Sequence, residues 1–333
     1  MRTTLLGSWL ACVACVSCAP APGPAAANVP VAAVPTAGGV VAESPTPSLA
    51  TTAVTSPDAT APAPEPVTSR TPSATDAAAP AGGCAEGEVP VPPTSSEGFV
   101  MAKGLPATHR VVLSRGFCVD ESEVTVREYA RCVESGACKE PWRGDPYSTY
   151  PSKLDEPVNL VNWSKARAYC AWAGKRLPSE AEWEWAATGP EQYRYPWGNE
   201  PEPSCELCDY TKFGAPKWVA GGDIGCGGGG PSPVGSHPKG DRIWPGGAIH
   251  DLAGNVWEWV EDSYAPLGGD TVTDPAVHLE TSLHVIRGGG WNRSYAAMAV
   301  TYRGAADASY QVPALGFRCV RDEPQPPPSL HDE

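Results

Sequence analysis

The chain has 333 residues, only 19% of them charged, and a formal net charge of −14 at pH 7. Its 35 glycines and 38 prolines argue against long regular helices and coiled coils, and its acidity repels a phosphate backbone, so no nucleic-acid partner is expected. Twelve tryptophans against four phenylalanines, and twelve cysteines, set it apart from a generic cytosolic enzyme.

Residues 1–18 place Arg2 ahead of an apolar run from Leu5, and no further charge follows until Glu43. The run is too short to span a bilayer and reads as a secretory signal. Three cysteines, Cys12, Cys15 and Cys18, stand where small residues usually mark cleavage. The pattern resembles a bacterial lipoprotein signal, with Cys15 or Cys18 as the lipidated residue; length favours Cys18. Residues 19–83 hold no aromatic residue and five charges in 65 positions. Such a segment buries too little apolar area to offset its chain entropy and reads as a disordered Ala/Pro/Ser/Thr-rich tether.

From Cys84 the composition changes, and the eleven remaining tryptophans all lie within 142–291. Residues 84–322 read as one domain, followed by a Pro-rich acidic tail, 323–333. Strands are expected at Val111–Leu113 and Gly116–Asp120. Thr125 and Glu128 form a capping box that predicts a helix from Val126 to about Glu134, stopped at Gly136. Ser164 is expected to cap a second helix ending near Gly174, with Ala168, Tyr169 and Trp172 on one face. Pro178, Ser179 and Glu182 open a third, stopped at Gly189. Gly- and Pro-rich loops follow, then strands at Asn255–Glu261, His284–Arg287 and Gly316–Arg321. Helices early and strands late argue α+β rather than a doubly wound sheet.

The domain holds nine cysteines, and secretion makes them disulfide candidates, at least one of them left over. Cys132 and Cys138 bracket the Gly136 turn. Cys205-x-x-Cys208 has no second such pair in the domain, which argues against zinc and redox roles. The six histidines show no metal-type spacing.

Several stretches carry a family likeness: Glu123-Val-Thr, Ala168 through Ala187, Tyr195-Pro-Trp-Gly-Asn199, Asp251-Leu-Ala-Gly-Asn-Val-Trp-Glu-Trp259, Arg287-Gly-Gly-Gly-Trp291 and Gly316-Phe-Arg-Cys319. Together they resemble the formylglycine-generating enzyme (sulfatase-modifying factor) family over roughly residues 88–322. The resemblance implies an α+β, C-type lectin-like fold with little regular secondary structure. It implies a Cys170–Cys319 disulfide; Cys84–Cys118, Cys132–Cys138 and Cys205–Cys226 are expected beside it, leaving Cys208 free. It implies structural calcium on Asp251, Gly254, Val256 and Glu258, and a second site on Asp209, the Tyr210 carbonyl and an acid near Asp223. It also implies a groove lined by Trp257, Trp291, Asn292, Arg293 and Tyr295.

Family members that oxidise a sulfatase cysteine hold copper(I) on two thiols. Here the interval 227–318 contains no cysteine, and an ungapped overlay puts Arg293 and Met298 at the two thiol positions. Copper(I) requires soft thiolate ligands, so copper is not expected. The histidines that hold iron in the ergothioneine branch of the family have no counterpart in residues 19–83. The expectation is an exported, lipid-anchored envelope domain that binds a protein, peptide or glycan on a calcium-braced frame. The alternative is a formylglycine-generating or other oxidase with different ligands.

Overall fold

The computed structural model describes residues 83–105, 108–211, 226 and 229–323. The signal segment, Cys18, the tether up to residue 82, Asp223 and the tail from 324 onward lie outside the described residues. In chain order the elements are β1 (Glu88–Val91), β2 (Phe99–Met101), β3 (His109–Val112), β4 (Phe117–Asp120), α1 (Val126–Glu134), α2 (Trp163–Trp172) and α3 (Glu180–Thr188). They continue with β5 (Arg242–Trp244), β6 (Gly247–Ile249), β7 (Trp257–Ser263), β8 (Val272–Thr273), β9 (Leu283–Arg287), β10 (Gly304–Asp307), β11 (Leu315–Gly316) and β12 (Val320–Asp322).

Helix α1 starts on the expected capping box: Thr125 Oγ1 accepts from Glu128 N, and Glu128 Oε2 accepts from Thr125 N at 2.9 Å. It ends before Gly136, which takes φ +81°. Helix α3 repeats the device with Ser179 and Glu182 and stops at Gly189, φ +64°. Helix α2 differs from expectation. Its cap is Asn162, whose side chain accepts from Lys165 N at 3.0 Å, while Ser164 lies inside the helix and donates to Asn162 Oδ1. Its buried face is Ala166, Tyr169 and Cys170, not Ala168, Tyr169 and Trp172; Trp172 is 41% exposed. The reason is the Cys170–Cys319 bond, which fixes Cys170 toward the interior.

The described strands form four small sheets: β1-β4-β12, β10-β9-β7-β11, β2-β3-β8 and β5-β6. The stretch read as one strand, Gly316–Arg321, is two. Leu315 pairs in parallel with Trp257 of β7, whereas Val320 pairs antiparallel with Val119 of β4. Between them Phe317, Arg318 and Cys319 are all fully buried, so the alternation of a half-exposed strand fails. The Cys319 amide donates to Asp120 Oδ2 at 2.8 Å instead of extending a ladder. The strand expected from Asn255 begins at Trp257, because Asn255 takes φ +53°.

Two apolar clusters form the core. One gathers Tyr129, Tyr169, Trp257, Trp259, Trp291 and Phe317; the other gathers Phe99, Trp183, Trp185, Trp244, Val260 and Val285. Trp183, Trp185, Trp257 and Trp259 are all buried. Every α3 residue except Glu182 is buried, including Glu180 and Glu184. Buried carboxylates need partners. Arg287 pairs with both, and Arg303 reaches the two oxygens of Glu180 at 2.5 and 2.7 Å. All four expected disulfides form, and Cys208 is the free, buried thiol among the described residues.

Candidate functional site

The family-type motifs meet at the turn that leads into β7. Asp251, Gly254 and Asn255 take φ of +56°, +87° and +53°. Glycine is required at Gly254, because a Cβ there would run into the Asp209 carbonyl. Backbone hydrogen bonds stitch the motifs together. Gly254 N donates to Gly288 O, Asn255 N to Asp209 O, Trp291 N to Asn255 O and Trp257 N to Ala314 O, all between 2.7 and 3.0 Å. Below them Glu258 is fully buried. Its two oxygens accept from Arg318 Nε and Nη2 at 2.8 Å each, and Oε2 also accepts from Trp183 Nε1 at 2.7 Å. Arg318 goes on to the carbonyls of Asp120 and His250. Residues from four separate stretches are thus locked around one buried ion pair.

Asp251 is buried; its Oδ2 accepts from Gly235 N at 2.6 Å, and His237 Nδ1 lies 3.9 Å from its Oδ1. Its contact with Asp251 raises the His237 imidazole above its ordinary value. Glu123, just before α1, is also fully buried, and neither of its carboxylate oxygens has a hydrogen-bond partner. Burial pushes its carboxyl well above the usual range, and the nearby Asp251 adds to the effect. This orphaned carboxylate and Asp251 supply the hard oxygens that calcium takes, so the residues fit such an ion. The oxygens of Glu123, Asp251 and Glu258 do not all lie within 4.8 Å of one another. The trio that does, Cys84, Glu88 and Cys118, has its two thiols spent in a disulfide.

The second expected site is built differently. Asp209 is fully buried, its Oδ1 accepting from Cys226 N and its Oδ2 from Ser232 Oγ. The Tyr210 hydroxyl donates to Pro203 O, and the Tyr210 carbonyl lies 3.4 Å from Cys226 Sγ. Asp209 therefore fastens the Cys226 segment to the β7 turn.

The expected groove residues fall into two levels. Trp257 and Trp291 are buried: Trp257 packs on Tyr302 at 5.8 Å between ring centroids and Trp291 on Tyr147 at 5.1 Å. Trp257 Nε1 and the half-buried Asn292 Oδ1 have no partner, whereas Trp291 Nε1 donates to Pro313 O. Arg293 and Tyr295 are exposed at the surface. Of the two positions where the family's copper thiols fall, Arg293 faces outward and Met298 is sealed in the core. The donor set does not fit copper. Sequence reasoning passed over Glu123 and Arg318, although both lie in the motifs that carry the likeness; only their contacts distinguish them from ordinary core positions. It also passed over Tyr302, whose place on Trp257 has no local signal.

The model of the sulfatase-modifying factor enzyme 1-like domain matches residues 65–323. The inactive C-alpha-formylglycine-generating enzyme 2 of Bos taurus is 35% identical over 198 residues, covering 57% of this chain and 58% of its own. The formylglycine-generating enzyme of Thermomonospora curvata is 36% identical over 188 residues, covering 53% and 59%. The chain thus spans less than two thirds of either relative. Among solved structures, Treponema denticola variable protein 1 superposes with a TM-score of 0.53 at 22% identity, covering 70% of this chain and 94% of its own, which supports the α+β fold. The chain belongs to the sulfatase-modifying factor enzyme (FGE-sulfatase) family.

Proposed function

We propose that this protein is an exported, lipid-anchored member of the family that has lost the copper oxidase chemistry and binds a protein, peptide or glycan of the envelope. The observation that carries the reading is the pair of positions Arg293 and Met298, one a solvated guanidinium and the other a buried thioether. Neither provides a thiolate, and Cys208, the one free thiol among the described residues, is buried, with its thiol pushed up by desolvation. The proposed ligand face lies over the buried rings of Trp257 and Trp291, with Arg293 and Tyr295 exposed at its rim. Calcium held by the Asp251 turn and the carbonyls of Gly254 and Val256 would neutralise buried carboxylates and brace this face; a second ion would use Asp209 and the Tyr210 carbonyl.

The test is to incubate the full chain, supplied with copper, with a cysteine-containing sulfatase-motif peptide and to read the product by mass spectrometry. No aldehyde is expected. Copper-dependent conversion of the peptide cysteine would overturn the reading in favour of an oxidase with another ligand set. Binding to members of a glycan and peptide array supports the ligand role, and a blank array opposes it.

A further inference from the structure

Two aromatic side chains stand half out of the protein at one place. Trp142 is 49% exposed and Tyr310 50%, and both line a shallow cleft of about 350 Å³ with Ser309, Gln311 and Val312. That volume falls at the small end of ligand sites. Both rings are held where they are. The Trp142 amide donates to Leu160 O at 3.1 Å, and its indole lies so close over Gly144 that a Cβ there would run into it. The Tyr310 amide donates to Asp307 O at 2.8 Å, and Asp307 Oδ1 accepts from Ser309 N and Ser309 Oγ at 2.9 and 2.6 Å. The two rings thus forgo much of the burial that makes aromatic side chains favourable in a core.

The walls of the cleft narrow the class of ligand. The chain carries 24 basic and 38 acidic side chains, yet none of them lines this cleft, so a charged ligand finds no counter-ion on its walls. The polar groups are the Ser309 and Tyr310 hydroxyls, the Trp142 indole N–H and the Gln311 amide. Hydroxyls both donate and accept. Lys165 Nζ donates to Gln311 Oε1 at 2.7 Å, which leaves the Gln311 NH2 to donate elsewhere. Flat apolar faces edged by such groups match a sugar ring, which carries C–H bonds on its faces and hydroxyls around its rim. Val312 leads into Pro313, whose carbonyl accepts from Trp291 Nε1 at 3.3 Å, so the cleft adjoins the ligand face proposed above.

We infer that the cleft between Trp142 and Tyr310 binds a neutral oligosaccharide of β-linked, gluco-configured units, with sugar rings packed on the indole and the phenol. Such units carry their hydroxyls around the ring edge and leave both faces apolar. The inference rests on the ligand-binding reading above and names the class of ligand and the subsite that grips it.

The experiment titrates chitotetraose and cellotetraose into the full chain by calorimetry, for the wild type, Trp142→Ala, Tyr310→Ala and Trp142→Phe. A hyaluronan tetrasaccharide serves as the charged counterpart. A synthetic peptide of residues 324–329 serves as a proline-rich ligand, a class that aromatic-lined grooves also take. The wild type is expected to bind at least one neutral sugar, and each alanine variant to weaken that binding about tenfold. Trp142→Phe, which keeps a smaller ring, should retain part of the affinity, and it decides the matter if an alanine variant melts early. Wild-type chain that binds neither neutral sugar overturns the inference. So does sugar binding that the variants leave unchanged, hyaluronan binding as tight as that of chitotetraose, or binding of the peptide in place of the sugars. Peptide hits on the array with no response to either neutral sugar sink this inference and leave the ligand role standing; a blank array opposes both.

Discussion

At the scale of single residues, the molecule spends its buried charges on holding loops. The Glu258–Arg318 pair is fully buried, so its Coulomb gain is largely consumed by desolvation, and its worth lies in where it puts the backbone. Arg318 reaches the carbonyls before α1 and before the β7 turn, segments no sheet connects. Asp262 shows the cost of such burial. It accepts from Glu180 N at the start of α3 and from Val277 N, yet desolvation wins and pushes its carboxyl up to about 6. Its ordinary value is 3.8, so between that and about 6 the folded state holds a proton the unfolded chain has released. Stability therefore falls as pH rises through this window, by about 3 kcal/mol at about 1.4 kcal/mol per unit. Burial also raises Asp120 and Glu184, and carboxylate partners raise His237 and His250, whose stabilisation is lost as pH climbs past their folded values. Melting temperature in chelator is expected to rise from pH 7 toward pH 5, and Asp262→Asn to flatten that slope. An unchanged slope in the variant would remove Asp262 from the account.

At the scale of elements, short helices survive because their ends are closed locally, and short strands because covalent links hold them in place. The capping boxes at Thr125 and Ser179 each satisfy two amides that would otherwise lack partners; losing such a cap costs about 1 kcal/mol. Strand β12 has three residues and β11 two, too few to dock by ladder bonds alone. The Cys170–Cys319 bond ties α2 to the segment between them across a sequence separation of 149. Closing a loop of that length corresponds to about 5 kcal/mol in the chain-entropy account, an upper figure. Replacing both cysteines by alanine is expected to lower stability by about 2–5 kcal/mol, read from the urea midpoint with the other bonds intact. A midpoint that does not move would show that buried Phe317 and Arg318 dock the segment unaided.

At the scale of the whole molecule, four disulfides suit an oxidising, exported setting, and no described helix is long and apolar enough to cross a membrane. The proposed membrane attachment is through the N-terminal signal. The wild type is expected to partition into a detergent phase, and Cys18→Ser to abolish that partitioning. Retention in the variant would move the anchor to Cys15. A wild type that stays in the aqueous phase, with a different N-terminus, would overturn the anchor.

The sequence by itself determined whatever is local or matched in pairs. Capping boxes and left-handed glycines were legible because their signals lie within a few residues; the family motifs supplied the Cys170–Cys319 pairing. The absence of thiols between residues 227 and 318 was legible in the same direct way. Tertiary structure decided the rest. That Asn162 rather than Ser164 caps α2 depends on which side chain reaches Lys165 N, and that Gly316–Arg321 splits between two sheets depends on three successive residues facing inward. Asp251 and Glu258 were visible as acids seven apart, but whether each carboxylate is free depends on partners far along the chain. Arg318, 60 residues from Glu258, takes its oxygens, and Glu123, more than a hundred residues before Asp251, is left without a partner. Composition and spacing cannot report such pairings, because a buried charge is decided by what folding brings next to it.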